Sequence, residues 1–325
     1  MRKWVVKRLL VFIAVAGFAA PVWAASGERG ILLREAQLRV SPDANSALVA
    51  TAQRGREVLL VEKSQQWVKV FAYIYVDPDK EEENPSEESL SQPTGWMVNK
   101  GIVLASTPNG DRIVFGEAAD SEEQASRRLG RKGAAQDAMR LYARMAEYFP
   151  KSPLAGEALY RSADIRWQID YADVMTRPSA HEQDPDLRGK IEESYMREVI
   201  KKFPRSKWAD MAAYNLLDNK LCGDWQGQSK CPQRESELYD KYAREHPQSP
   251  KAPEALYNAA WRQAALIEIY KSEDQAGHSA DARKQALNLA QRLTSQYPDS
   301  EWVNRAAWLE FLMQQNVPTY GNAIE

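Results

Sequence analysis

Apolar positions along this chain follow two different rhythms. Between Ile31 and about Leu104 they alternate and are rich in β-branched residues. The runs are Val58-Leu-Leu-Val61, then Trp67-Val-Lys-Val70-Phe-Ala-Tyr73-Ile-Tyr75-Val76, then Gly95-Trp96-Met-Val98. Period two places successive side chains on opposite faces of a strand. Turn formers at Ser41-Pro42-Asp43, Arg54-Gly55 and Lys63-Ser64 separate the runs, and short strands at this spacing predict a small β-barrel over 25–106. Beyond 134 the period changes. Ala138, Met139, Tyr142, Met145, Ala146 and Phe149 form one helical stripe, and Ile191–Tyr195–Val199–Phe203 and Ala286–Leu289–Ala290–Leu293–Tyr297 form two more.

Each stripe runs into a recurring turn. Phe149-Pro150-Lys-Ser152, Phe203-Pro204-Arg-Ser206, His246-Pro247-Gln-Ser249 and Tyr297-Pro298-Asp-Ser300 share the order ring, proline, any residue, serine. Small residues follow in register: Ala155 and Ala158, Ala209 and Ala212, Ala252 and Ala255, Val303 and Ala306. Each copy closes on an aromatic residue, Tyr160, Tyr214, Tyr257 or Trp308. Proline ends the helix before it, serine is suited to cap the helix after it, and small residues spaced by three let a neighbour approach. The pattern predicts four helical hairpins. The prolines lie 54, 43 and 51 positions apart, so insertions must be absorbed between stacked units.

These residues resemble the tetratricopeptide repeats of bacterial envelope proteins, of the kind found in BamD-like assembly lipoproteins and the Tol-Pal-associated coordinator of peptidoglycan synthesis. The resemblance covers roughly 134–315 and implies an α-helical solenoid over 134–325. The alternating region resembles the bacterial SH3 (SH3b) family. Leu38-Arg39-Val40-Ser41-Pro42 matches its opening, Gly55-Arg-Glu-Val58 its second strand, Trp67-Val-Lys-Val70 its third and Gly95-Trp96-Met97 its Gly-Trp-Val. Together they imply a multidomain α+β protein: an SH3-like barrel, a linker over 107–133, and the solenoid. The SH3b likeness implies either a binder of cell-wall peptides or a spacer. Its candidate ligand groove is Tyr73, Tyr75, Trp67 and Trp96, with the two tryptophans also suited to the core.

Several stretches depart from these patterns. Asp77–Pro93 carries seven acids against Lys80 alone; it reads as a bait for a cationic partner or divalent metal, or as a tolerated, solvated insertion. In the linker, Ser121 ahead of two glutamates predicts a helix near Ser121–Leu129. Cys222 and Cys231 sit nine positions apart across Gly223 and Gly227 in one polar insertion. In an exported chain they read as a disulfide, with free thiols as the alternative. No Cys-x-x-Cys and no nearby histidine support a metal.

Met1–Ala24 reads as a signal peptide: Arg2, Lys3, Lys7 and Arg8, then an apolar run over Leu9–Ala20, then Val22-Trp23-Ala24. The rival reading is an uncleaved anchor, but the run is shorter than the roughly 20 residues of a membrane span. With the signal cleaved, no span is expected and the chain is periplasmic or exported. Without those four bases, 39 Lys and Arg face 45 Asp and Glu, so the charge moves from −2 to about −6, and no nucleic-acid partner is expected.

No catalytic motif emerges. Of the three histidines, His246 occupies the aromatic slot of the repeat, while His181 and His278 lie in polar insertions without a nucleophile partner. Phosphate-binding glycine loops, Gly-x-Ser-x-Gly and His-Glu-x-x-His are absent, so no enzyme, cofactor or metal is expected. The reading is a non-catalytic adaptor of the cell envelope, capturing a partner protein or extended peptide through helical repeats. Arg140, Glu147, Glu193 and Arg197 are its candidate partner surface. Peptidoglycan binding with the repeats as scaffold, and an unrecognised wall-modifying enzyme, are the alternatives.

Overall fold

A computed structural model describes residues 27–72 and 93–320. The expected signal segment, most of the acidic insertion, and Tyr73 and Tyr75 lie outside the described residues.

The alternating region forms strands β1 (Glu28–Leu32), β2 (Ala36–Arg39), β3 (Leu48–Ala52), β4 (Glu57–Ser64), β5 (Trp67–Ala72), β6 (Thr94–Val98) and β7 (Ile102–Leu104). They make one seven-stranded sheet in the order β3-β2-β6-β5-β4-β1-β7, with every described pairing antiparallel. Val68, Val70 and Ala72 alternate into one core with Leu38, Val58 and Met97, as period two requires. The sheet is open, and this corrects the expected closed SH3-type barrel. Its end strands, β3 and β7, are not neighbours. β2 meets β6 through the single pair Arg39–Trp96, beside a register shift at Leu38/Arg39. β7 has only three residues, and helices cover it instead of a strand: Val103 packs with Val114, Ala118 and Met145. Covering an edge in this way removes the need to close the sheet.

The helices are α1 (Gly110–Ser126), α2 (Ala134–Tyr148), α3 (Ala155–Thr176), α4 (Ser194–Lys202), α5 (Lys207–Asn215), α6 (Lys230–Glu245), α7 (Ala252–Ser272), α8 (Ala276–Gln296) and α9 (Trp302–Gln314). Helix α1 starts earlier than the linker pattern suggests. Ser121 is a fully buried mid-helix residue rather than a cap.

The repeated turn has one geometry throughout. Phe149, Phe203, His246 and Tyr297 adopt φ/ψ of −124/56, −126/56, −126/55 and −133/56°, each closing the helix before it. The ring residue's N–H donates to the carbonyl four residues back, at 3.0, 2.9, 2.9 and 2.9 Å. The serines divide. Ser206 Oγ accepts from Ala209 N and caps α5 directly. Ser152, Ser249 and Ser300 accept from the N–H two residues on, in a turn that precedes the helix. The alanines after the turn are buried between helices, while Val303 is half-exposed.

The array is nevertheless not a clean tetratricopeptide solenoid. Paired helices run 15 and 22 residues, then nine and nine, then 16 and 21, then 21 and 13. Units so unequal cannot stack by a constant rotation. Two insertions wedge between them: a 3-10 turn at Pro178–His181 and the loop closed by the Cys222–Cys231 disulfide, with Cα atoms 6.1 Å apart. The insertions hold each other, since Gly223 N donates to Glu182 O at 2.9 Å and Gln183 Nε2 to Trp225 O at 3.2 Å.

Sheet and helices share a continuous seam. Ile31 of β1 packs with Leu141 and Tyr142 of α2. Gly55, at φ 75°, lies so close to α2 that an added Cβ would stand 2.8 Å from Arg140 Cβ; both backbone freedom and space demand glycine there. Glu57 is buried at this seam (5% exposed). It accepts from Arg29 and, at 2.7 Å, from Tyr148 Oη, with Arg144 3.6 Å away.

Candidate functional site

Helices α3, α5 and α7 are the second members of three hairpins, and together they line a groove of about 540 Å³. Helical spacing brings Tyr160 and Asp164 onto one face of α3, and Met211 and Asn215 onto one face of α5. Two closing aromatics of the repeat, Tyr160 and Tyr214, thus share the wall with Trp208 and with Tyr239 of α6. Tyr160 stacks on Trp208 with ring centres 5.7 Å apart, and Tyr214 lies 6.0 Å from Tyr239. Burial pushes the Tyr160 and Tyr214 hydroxyls above their ordinary range and Tyr239 to about 12. These rings are neutral surfaces at any physiological pH.

The groove's charges fall into two sets. Arg161 donates to Glu122 at 2.7 Å and Lys251 to Glu254 at 2.7 Å, so both cations carry a carboxylate partner. Asp164 and Asp218 are held mainly by neutral donors. Asn215 Nδ2 donates to Asp164 Oδ1 at 2.7 Å, and Trp167 Nε1 donates to Asp218 Oδ2 at 3.0 Å. Burial raises the Asp218 carboxyl above its ordinary value, and nearby Glu254 and Asp164 push the same way, against Trp167 and Arg188. A cation entering the groove relieves this combination of desolvation and like charge. Aromatic faces beside the carboxylates add cation–π attraction.

The residues singled out from sequence lie elsewhere. Arg140 donates to Asp137 and, at 3.1 Å, to Arg54 O; Glu147 accepts from Arg29 at 3.1 Å and from Arg144. Both sit at the sheet–helix seam. Glu193, at the start of α4, pairs with Arg197 of that helix and also accepts from Asn219 at 3.0 Å. The structure therefore does not bring these four together. Trp67 and Trp96 are 8% and 9% exposed.

His246 Nδ1 lies 2.8 Å from Asp210 Oδ1 and its ring 4.8 Å from Tyr242. His181 lies 3.4 Å from Asp224, and His278 bonds Gln275 at 2.6 Å. Among the described residues no group of three or more His, Cys, Asp or Glu could hold a metal ion, and no helix is long and apolar enough to cross a membrane. Sequence reasoning missed Asp164, Asp218 and Trp208. Tyr160 and Tyr214 were visible only as motif endings, and the other two endings, Tyr257 and Trp308, do not line the groove.

No protein-family model matches the chain, and no curated protein matches it. Membership of the SH3b and tetratricopeptide families is therefore not upheld. With it falls the expectation of an SH3b domain fixing the chain to the periplasmic cell wall, for which the open sheet gives no barrel. Among solved structures, the chain is similar to one titled "DHF58 filament", at 16% identity over 63% of this chain and 91% of that chain. The TM-score is 0.24, too low for the likeness to carry any argument.

Proposed function

We propose that the protein is a non-catalytic scaffold that captures an extended, basic segment of a partner protein in the α3–α5–α7 groove. The observation that carries this reading is Asp218: a partly buried carboxylate, raised by burial, facing a groove of aromatic rings in which the existing cations are already paired. A lysine or arginine side chain from the partner supplies the missing charge, its stem lying along the groove wall. Helices packed one against the next, as here, form a general protein-interaction scaffold. The Cys222–Cys231 disulfide suits an exported, oxidising setting.

Selection of random peptides on the full-length protein, followed by fluorescence anisotropy of the winners, tests the reading. Selected peptides should be rich in Lys and Arg, and Asp164→Asn/Asp218→Asn should weaken them by about tenfold or more. Acidic or neutral winners, or equal affinity for the double variant, would refute it.

A further inference from the structure

The closing aromatic of each hairpin is covered by the hairpin that follows. Tyr160 stacks on Trp208 with ring centres 5.7 Å apart, Lys251 Nζ lies 5.4 Å from the centre of the Tyr214 ring, and Tyr257 lies 5.2 Å from Trp302. Trp208, Lys251 and Trp302 all stand two residues after the turn serine, that is after Ser206, Ser249 and Ser300. Trp308 is the fourth closing aromatic, and among the described residues no ring or cation lies over it. It is 55% exposed, and Phe311, on the next turn, 57%. Stacked repeats stay soluble when the terminal unit turns a polar face outward. Helix α9 turns two large rings outward instead.

The two faces of α9 differ sharply. Ala306, Leu309 and Met313 are buried in the core shared with α7 and α8. Asn304, Ala307, Trp308, Phe311, Gln314 and Gln315 are exposed and recur at helical spacing. This stripe carries no charge, although Asp, Glu, Lys and Arg make up 27% of the chain. Arg305, beside it, is drawn over Trp302, 4.4 Å from the ring centre.

The opposite end of the array is closed by α1. Ser152 Oγ donates to Asp111 Oδ2 at 2.7 Å, and Phe115 meets Tyr142 with ring centres 5.2 Å apart. Gly110 lies so close to Phe149 that an added Cβ would stand 2.6 Å from its ring. With its first hairpin covered, a second copy cannot stack on α9 head to tail. A twofold axis, by contrast, brings each residue of a stripe near its own copy, where like charges repel. A stripe without charge meets itself at no such cost.

We propose that α9 is the contact helix of a homodimer, with the stripes of two copies lying face to face across a twofold axis. Aromatic residues are enriched and charges depleted at the centres of such interfaces. Trp308 then gains from its copy the cover that Tyr160, Tyr214 and Tyr257 receive within the chain. None of the stripe residues lines the α3–α5–α7 groove, so dimer and groove are independent.

Sedimentation velocity of the full-length protein, over a series from about 1 to about 100 µM, tests the proposal. The mass should rise from one copy to two. Trp308→Glu/Phe311→Glu should raise the dissociation constant by about tenfold or more. Both side chains are more than half exposed, and an unchanged urea midpoint checks that the fold is kept. Ala307→Lys, which sets like charges against each other across the axis, should weaken the pair without removing either ring. Leu129→Glu, at an almost fully exposed residue away from α9, should leave it intact. A mass of one copy at every concentration, association that the α9 variants leave unchanged, or equal weakening by Leu129→Glu overturns the proposal.

Discussion

Glu57 and Asp218 are both carboxylates removed from water, and their surroundings drive them in opposite directions. At the seam, burial opposes the Glu57 charge, yet hydrogen bonds from Arg29 and Tyr148 and the charge of Arg144 outweigh it, and the carboxyl sits below its ordinary value. In the groove, burial dominates, and Asp218 sits above its ordinary value. One carboxylate is neutralised by its own fold and joins two parts of the chain. The other is left partly unsatisfied where a partner can reach it. Desolvated charge is tolerated when partnered and costly otherwise, which is why the binding role is proposed for Asp218 and not for Glu57.

The largest expected effect tests whether the seam is one cooperative body. Leu141 is fully buried between sheet and helices, and Leu141→Ala should cost about 3 kcal/mol. In urea, near- and far-ultraviolet dichroism should move together to a lower midpoint; separate transitions would show that sheet and helices unfold independently.

Glu57→Gln comes next, at about 2 kcal/mol at neutral pH. Because the folded pKa is lowered, this stability is fully present above the ordinary carboxyl value of 4.5 and is lost as pH falls through the lower folded value. The gap between wild type and variant should close over that acid window, measured by urea titration at several pH values.

Asp218→Asn should do the reverse. A raised folded pKa means that the ionised aspartate weakens the fold once pH exceeds its folded value, so the variant gains about 1 kcal/mol at neutral pH. The gain should vanish below the unfolded value near 3.8. Higher stability joined to weaker basic-peptide binding would sharpen the comparison; lower stability at neutral pH would break it.

The smallest effect is expected on α4. Arg197 is well exposed and pairs with Glu193 one turn away, so Arg197→Ala should alter stability by no more than about 0.5 kcal/mol. It should leave groove affinity unchanged by anisotropy. A large loss of binding would move the partner surface to that face.

Much of the helical half was legible in advance because its signals are local. Proline stops a helix that runs into it, and a ring, proline and serine at fixed offsets yield the same dihedrals at Phe149, Phe203, His246 and Tyr297. The alternation of Val68, Val70 and Ala72 likewise announced a strand, and Cys222 and Cys231 lay close enough in sequence to suggest their disulfide. The sequence by itself therefore determined where the repeated turns fall and which runs alternate as strands, but not where α1 begins. Closure of the sheet was not legible, because it depends on what covers β7, and Val114, Ala118 and Met145 of the helices do so. Nor was the groove, since Asp164 and Asp218 meet across 54 positions. Only tertiary structure decides which charges end up sharing a desolvated space. Electrostatic energy depends on distance and burial, and neither can be read from order along the chain.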